Sequence, residues 1–323
     1  MPVNGKRAEQ LIRAVRTHAD LVLAHAMDPT GSTPLFANGV DVTHASVARL
    51  DTDHVRKGAV LSNAASQQNW FRLLMVLGEL TEEPVYGEAA LKAYRYTMRN
   101  HTDARGLIKW GGHAAYDLEL QQIVHAADKP RAHELKMHYP AYDLMWKADP
   151  EGTKRYIEAM WNAHILDWAN LDFNRHGPYD APEGVLWDHE YKGGDVFFWG
   201  KGLTFVNAGS DLYYAAALLA KLSGEEAPLV WAKRLARRYV ETRQGDIGIS
   251  GYQFSRRRPP GAMVPRFGGI GPSTSWLPSS PKGISSMKGP CSNPGPLSNV
   301  ASWHWEKSSA LMETFSFAGR SKR

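Results

Sequence analysis

The chain has 323 residues, 43% of them hydrophobic, enough for one large domain with a real core. Its single cysteine, Cys291, excludes an intramolecular disulfide and a thiolate metal site, and no apolar run approaches the ~18 residues of a membrane span. The net charge of +5 belongs to the tail: residues 255–323 carry ten Lys or Arg against two acidic residues, leaving residues 1–254 at −3, which removes the charge argument for nucleic-acid binding by the main body.

The N-terminus holds Lys6 and Arg7, but no apolar signal-type stretch follows. Instead Leu11, Ile12, Val15, His18, Leu21, Val22 and Ala26 recur at helical spacing. These features predict a soluble, cytoplasmic protein that does not enter a membrane. A second helix is expected after Ser66, through Phe71, Leu74, Met75 and Gly78, and a third from Gly87 to Asn100. Tyr116 to Ala127 repeats the pattern, and His133-Glu134 reads as the opening of another helical segment. The clearest helix is Gly152 to Ala169, whose stripe runs through Tyr156, Ile157, Met160, Trp161, His164, Ile165 and Trp168. Thr204 to Leu222 and Pro228 to Arg243 complete the set. Strand-type alternation is scarce, so residues 1–254 are expected to be all-α or nearly so.

Residues 255–300 break the pattern, with nine Pro, seven Gly and nine Ser among them and no acidic residue from Ile247 to Trp305. That is the composition of a disordered segment. The change after Phe254 is abrupt and reads as a shifted reading frame or a divergent terminus, with a natural basic linker as the alternative.

Eleven tryptophans fit either a sugar-binding surface or a core filled by large rings. Thirteen histidines are mostly structural or solvated, yet His113 follows the tight run Trp110-Gly111-Gly112, and Arg175-His176 comes soon after the long helix. Two imidazoles and a carboxylate brought together in space would make a metal site with open positions. Three blocks carry a resemblance. They are Trp110-Gly111-Gly112-His113; His133-Glu134-Leu135-Lys136 with His138-Tyr139-Pro140 and Tyr142-Asp143-Leu144-Met145; and Trp161-Asn162-Ala163-His164 through Asp167-Trp168 and Leu171-Asp172-Phe173 to Arg175-His176-Gly177. Together they resemble the pectate lyases of polysaccharide lyase family 2 over roughly residues 5–254.

The resemblance implies an (α/α)-toroid of helical hairpins, (α/α)7-like but incomplete, since about eight helices make nearer four pairs than seven. It implies β-eliminative cleavage of polygalacturonate or oligogalacturonides, probing chain ends, and a divalent transition metal, Mn²⁺ first with Co²⁺ or Ni²⁺ as substitutes. His113, Glu134 and His176 look like the metal ligands, and Arg175 like the catalytic base. Imidazole donors disfavour Ca²⁺, which takes six to eight oxygens. An arginine base is chemically demanding, because its reference pKa is above ~12. The alternative is that Arg175 merely pairs with a carboxylate. Lys109, Lys192, Lys201 and Arg243 are candidate uronate contacts or ordinary surface charges. Trp110, Trp187 and Tyr191 are candidate stacking platforms, with Trp187 equally a core residue. Asn63, Gln68 and Asn69 read as helix-capping and surface groups, and Asp188-His189-Glu190 as a solvated loop. Competing functions are an inactive truncated remnant that at most binds metal or oligogalacturonide, and a glycoside hydrolase using two of Asp117, Glu119, Asp188 and Glu190.

Overall fold

The structure is a computed structural model. It describes residues 5–50, 56–111, 114–125, 131–135, 139–194 and 209–241, with the backbone of 204–205, 243–244, 249–250 and 253–254. All of these fall in the first of two units, Met1–Ile270 and Gly271–Arg323. His113, Lys136, His138, Lys201, the side chain of Arg243 and the tail of residues 255–323 lie outside the described residues.

Among the described residues there are seven α-helices: α1 (Gly5–His25), α2 (Gln68–Thr81), α3 (Pro84–Asn100), α4 (Tyr142–Ala148), α5 (Pro150–His164), α6 (Ser210–Ser223) and α7 (Glu226–Glu241). Short strands run between them: β1 (Val40–Asp41), β2 (Ser46–Val47), β3 (Leu61–Ser62), β4 (Ala114–Asp117), β5 (Gln122–His125), β6 (Ala132–Glu134), β7 (Ile165–Asp167), β8 (Asp172–Phe173) and β9 (His176–Pro178). Every pairing is antiparallel: β1 with β2, β3 with β4 and β4 with β5, β6 with β9, and β7 with β8. Further backbone pairs join 204–205 to 253–254 and 243–244 to 249–250.

The helices form where the apolar spacing places them. In α5 the Asp149 carboxylate caps the first turn by accepting from Gly152 N–H at 3.0 Å, and Pro150 stands at the first helical position, where its missing N–H costs nothing. Tyr156, Ile157, Met160, Trp161 and His164 are buried along one face. Each large apolar side chain removed from water contributes about 1.5–3 kcal/mol. Helices α2 and α3 pack against each other, as do α6 and α7, and the short α4 packs on both α3 and α5. Trp161 crosses from α5 to α6, its Nε1–H donating to the Leu212 carbonyl at 2.9 Å.

Several sequence expectations are corrected. Tyr116 to Ala127 is not a helix: β4 and β5 form a hairpin in which Tyr116 faces Ile123 and Asp117 faces Gln122. Its apolar pairs occupy opposed strands, and Gln121 turns the chain at φ +53°. His133-Glu134 lies in β6, not at a helix start. Helix α5 stops at His164, where the β-branched Ile165 enters extended backbone and begins β7. Gln68 is neither cap nor surface group. It is buried, donates to the Ala64 carbonyl at 2.7 Å, and accepts from Tyr94 O–H at 2.7 Å and Ala141 N–H at 2.8 Å, tying α2 to α3 and to the start of α4.

Two buried imidazoles set an acid limit on this fold. Burial lowers His101, stacked on Tyr116, to about 4, and lowers His164 to about 4. The unfolded chain takes up these protons below about 6.5, the folded chain only near 4. Their contribution is therefore complete above pH ~6.5 and is lost as pH falls to ~4, by about 2 kcal/mol per histidine at pH 5. The urea midpoint is expected to drop clearly between pH 7 and pH 5; equal midpoints would contradict the neutral assignment.

Candidate active site

Strands β6 and β9 come from distant parts of the chain and build the site by their register. Glu134 stands opposite His176, His133 opposite Gly177, and Ala132 opposite Pro178. Leu135 N–H donates to the Arg175 carbonyl at 2.9 Å, one further step of the ladder. Directly opposed residues share a face of the ribbon, so pairing alone puts the Glu134 carboxylate beside the His176 imidazole. His176 Nε2 lies 3.5 Å from Glu134 Oε1, and Arg175 Nη1 lies 2.8 Å from that same oxygen. The Glu134 side chain is 1% exposed, against 26% for Arg175 and 21% for His176. A carboxylate so withdrawn from water requires a compensating charge, and the guanidinium supplies it, while both partners still meet solvent.

The Trp110-Gly111 turn lies against this ribbon. Gly111 has φ +106°, and a Cβ there would sit 3.6 Å from the Glu134 carbonyl oxygen, so the position calls for glycine. Asn63 braces the turn: its Nδ2 donates to the carbonyls of Gly111 at 2.7 Å and Ala114 at 3.1 Å, the two residues flanking 112–113. Asn63 is thus a loop brace where the sequence suggested a helix cap. Trp110 is buried core, not a stacking platform, with Nε1–H directed at His133 Nε2 and the Tyr156 hydroxyl.

Of the expected site residues, Glu134, Arg175 and His176 converge on one carboxylate oxygen. His113 lies outside the described residues, and among those that are described no group of three His, Cys, Asp or Glu forms a cation cluster. A buried carboxylate and a half-open imidazole 3.5 Å away nonetheless form a mixed oxygen and nitrogen donor pair of the kind first-row divalent ions accept. Lys192 pairs with Glu190 at 3.1 Å on the surface. Trp187 packs edge-on against Trp161 and Trp168, and Arg234 lies over the Tyr191 ring at 4.9 Å, while both aromatics stay half-buried.

Two of the carboxylates a hydrolase would need, Asp117 and Glu119, are engaged elsewhere. Arg56 binds both Asp117 and Glu119, and Arg49 binds Glu119 at 2.7 Å. Hydrogen bonds from Arg49 and Arg56 hold Glu119 below the usual carboxylate range, the wrong direction for a proton donor.

Sequence reasoning passed over His133 and His164. Both are buried, and they meet directly beneath the ribbon, His133 Nδ1 to His164 Nε2 at 2.8 Å. The available signal was the imidazole that interrupts the apolar stripe of α5.

The sequence pattern of a family described as periplasmic pectate lyase matches residues 33–265. A pectate disaccharide-lyase of Dickeya dadantii (strain 3937) is 36% identical over 261 residues, covering 76% of this chain and 47% of the relative. The chain therefore spans about half the length of the curated relative it matches.

Proposed function

Because this chain belongs to the periplasmic pectate lyase family, we propose that it cleaves α-1,4-linked polygalacturonate or its oligomers by β-elimination at the β6–β9 ribbon. The observation that carries this reading is the meeting of Arg175, Glu134 and His176 on one buried carboxylate oxygen. Elimination removes the C5 proton of a uronate, expels the C4 oxygen and leaves a C4–C5 double bond. Arg175, partly exposed, is the group that would take the C5 proton. Its pairing with Glu134 holds the guanidinium at the ribbon. Glu134 and His176, with His113, would hold the divalent cation, Mn²⁺ first and Co²⁺ or Ni²⁺ as substitutes. Such an ion supplies positive charge against the uronate carboxylate as the enolate-like intermediate develops.

An exo mode is supported by the relative's name, a disaccharide-lyase. The paired helices α2–α3 and α6–α7 support an (α/α)-toroid built of such pairs. Cytoplasmic action finds no support in the family's description. No helix among the described residues is long and apolar enough to cross a membrane.

The test is incubation of polygalacturonate with the chain and Mn²⁺, following ultraviolet absorbance of the unsaturated product. Absorbance should grow with time and protein. The alternative is an inactive remnant that at most binds metal or oligogalacturonide. It predicts a flat trace, together with aggregation in size exclusion and a non-cooperative melt by circular dichroism.

A further inference from the structure

His164 touches the neighbours of all three described site residues. Its Nδ1 lies 2.7 Å from the carbonyl of Asn174, the residue before Arg175. Its Nε2 lies 2.8 Å from Nδ1 of His133, the residue before Glu134. Gly177, the residue after His176, rests so close that a Cβ there would come within 2.8 Å of His164 Nε2. A single ring at the C-terminal end of α5 thus supports both strands of the ribbon from below.

The protons in this network have one arrangement. A carbonyl only accepts, so His164 Nδ1 carries the hydrogen and Nε2 is bare. His133 Nδ1 must then donate to it, which leaves His133 Nε2 as an acceptor. That atom faces two donors, Tyr156 O–H at 3.1 Å and Trp110 Nε1–H at 3.2 Å. Burial pushes the Tyr156 hydroxyl well above its ordinary range and keeps it a donor. His133, His164, Tyr156 and Trp110 are all buried, so a misplaced hydrogen among them leaves an unsatisfied group.

We propose that His164 is a positioning residue: by accepting from His133 and donating to Asn174 it fixes the register and height of the ribbon that presents Glu134, Arg175 and His176. The inference rests on the lyase reading for its kinetic consequence, though not for its structural one. Groups that orient ligands and reacting residues typically cost 10–100-fold in affinity or activity when removed. The two hydrogen bonds can be separated by substitution. In His164→Asn the amide nitrogen can replace Nδ1 and keep the Asn174 bond while losing His133. In His164→Gln the amide oxygen can replace Nε2 and keep the acceptor for His133.

The experiment has two arms. Imidazole ¹⁵N spectra of the full chain should show a protonated Nδ1 and a bare Nε2 on both His133 and His164. A bare Nδ1 on either ring would overturn the proposal, whatever the activity. In steady-state assays on polygalacturonate with Mn²⁺, His164→Asn and His164→Gln, each keeping one of the two bonds, should each lose up to roughly 10–100-fold in kcat with little change in KM. A lowered melting temperature with unchanged kcat in both variants would make His164 structural only. If the wild-type chain forms no unsaturated product, the lyase reading fails and the spectra alone decide the positioning claim.

Discussion

Arg175→Ala is expected to lower kcat by on the order of 10²–10⁴-fold, the range for removing a positioned proton-transfer group, while the chain stays folded. Arg175 Nη1 sits 2.8 Å from Glu134 Oε1 and the side chain is 26% exposed, so it has both an anchor and access to a substrate. Alanine also strips the guanidinium from a carboxylate that is 1% exposed, which should cost about 1–3 kcal/mol of stability. Arg175→Lys separates base from clamp. Lysine keeps the charge but has a reference pKa roughly two units lower. A base would move the alkaline limb of the kcat profile to lower pH by about that amount. A residue that only pairs with carboxylates would leave the limb in place and change KM. Circular dichroism and kcat profiles of the two variants check both points.

Gly177→Ala is the second large effect. Its φ is not in the left-handed region, so the constraint is contact: a Cβ would lie 2.8 Å from His164 Nε2 and 3.0 Å from Ala163 Cβ. Relief requires either lifting β9 from α5 or turning the His164 ring and breaking its bond to His133. Overpacking of this kind costs typically 1–3 kcal/mol. Lifting β9 also moves His176 away from Glu134, so kcat should fall further than the stability loss explains. A urea midpoint and a kcat equal to wild type would show that the ribbon does not depend on this contact.

The helices were legible where one face repeats at 3.6 residues over two or more turns, as in Leu11 to Ala26, Phe71 to Gly78 and Tyr156 to His164. They misled where apolar pairs belong to two short strands. Tyr116 and Ile123 look like neighbours on a helix face and are cross-strand partners in a hairpin. Chain ends of helices were also overrun, since nothing in Trp161 to Trp168 breaks the period although Ile165 already starts a strand. At the site, Glu134 and His176 are joined by strand register, which no local pattern encodes; the family blocks, not the spacing, identified them. The His133–His164 contact was hidden for a related reason. An imidazole within an apolar stripe reports burial, but its partner is set by the tertiary fold. Gln68 shows the same limit: a polar residue at a helix start usually caps, and here it is a buried link among three helices.

On this reading one cation-binding, proton-abstracting centre is assembled on the β6–β9 ribbon. Its most direct test is an anomalous-diffraction map of the full chain crystallised with Mn²⁺. The account predicts a single strong peak at bonding distance from Glu134, His176 and His113, with Arg175 alongside. A peak elsewhere, or His113 turned away from an ion held by other residues, would contradict it.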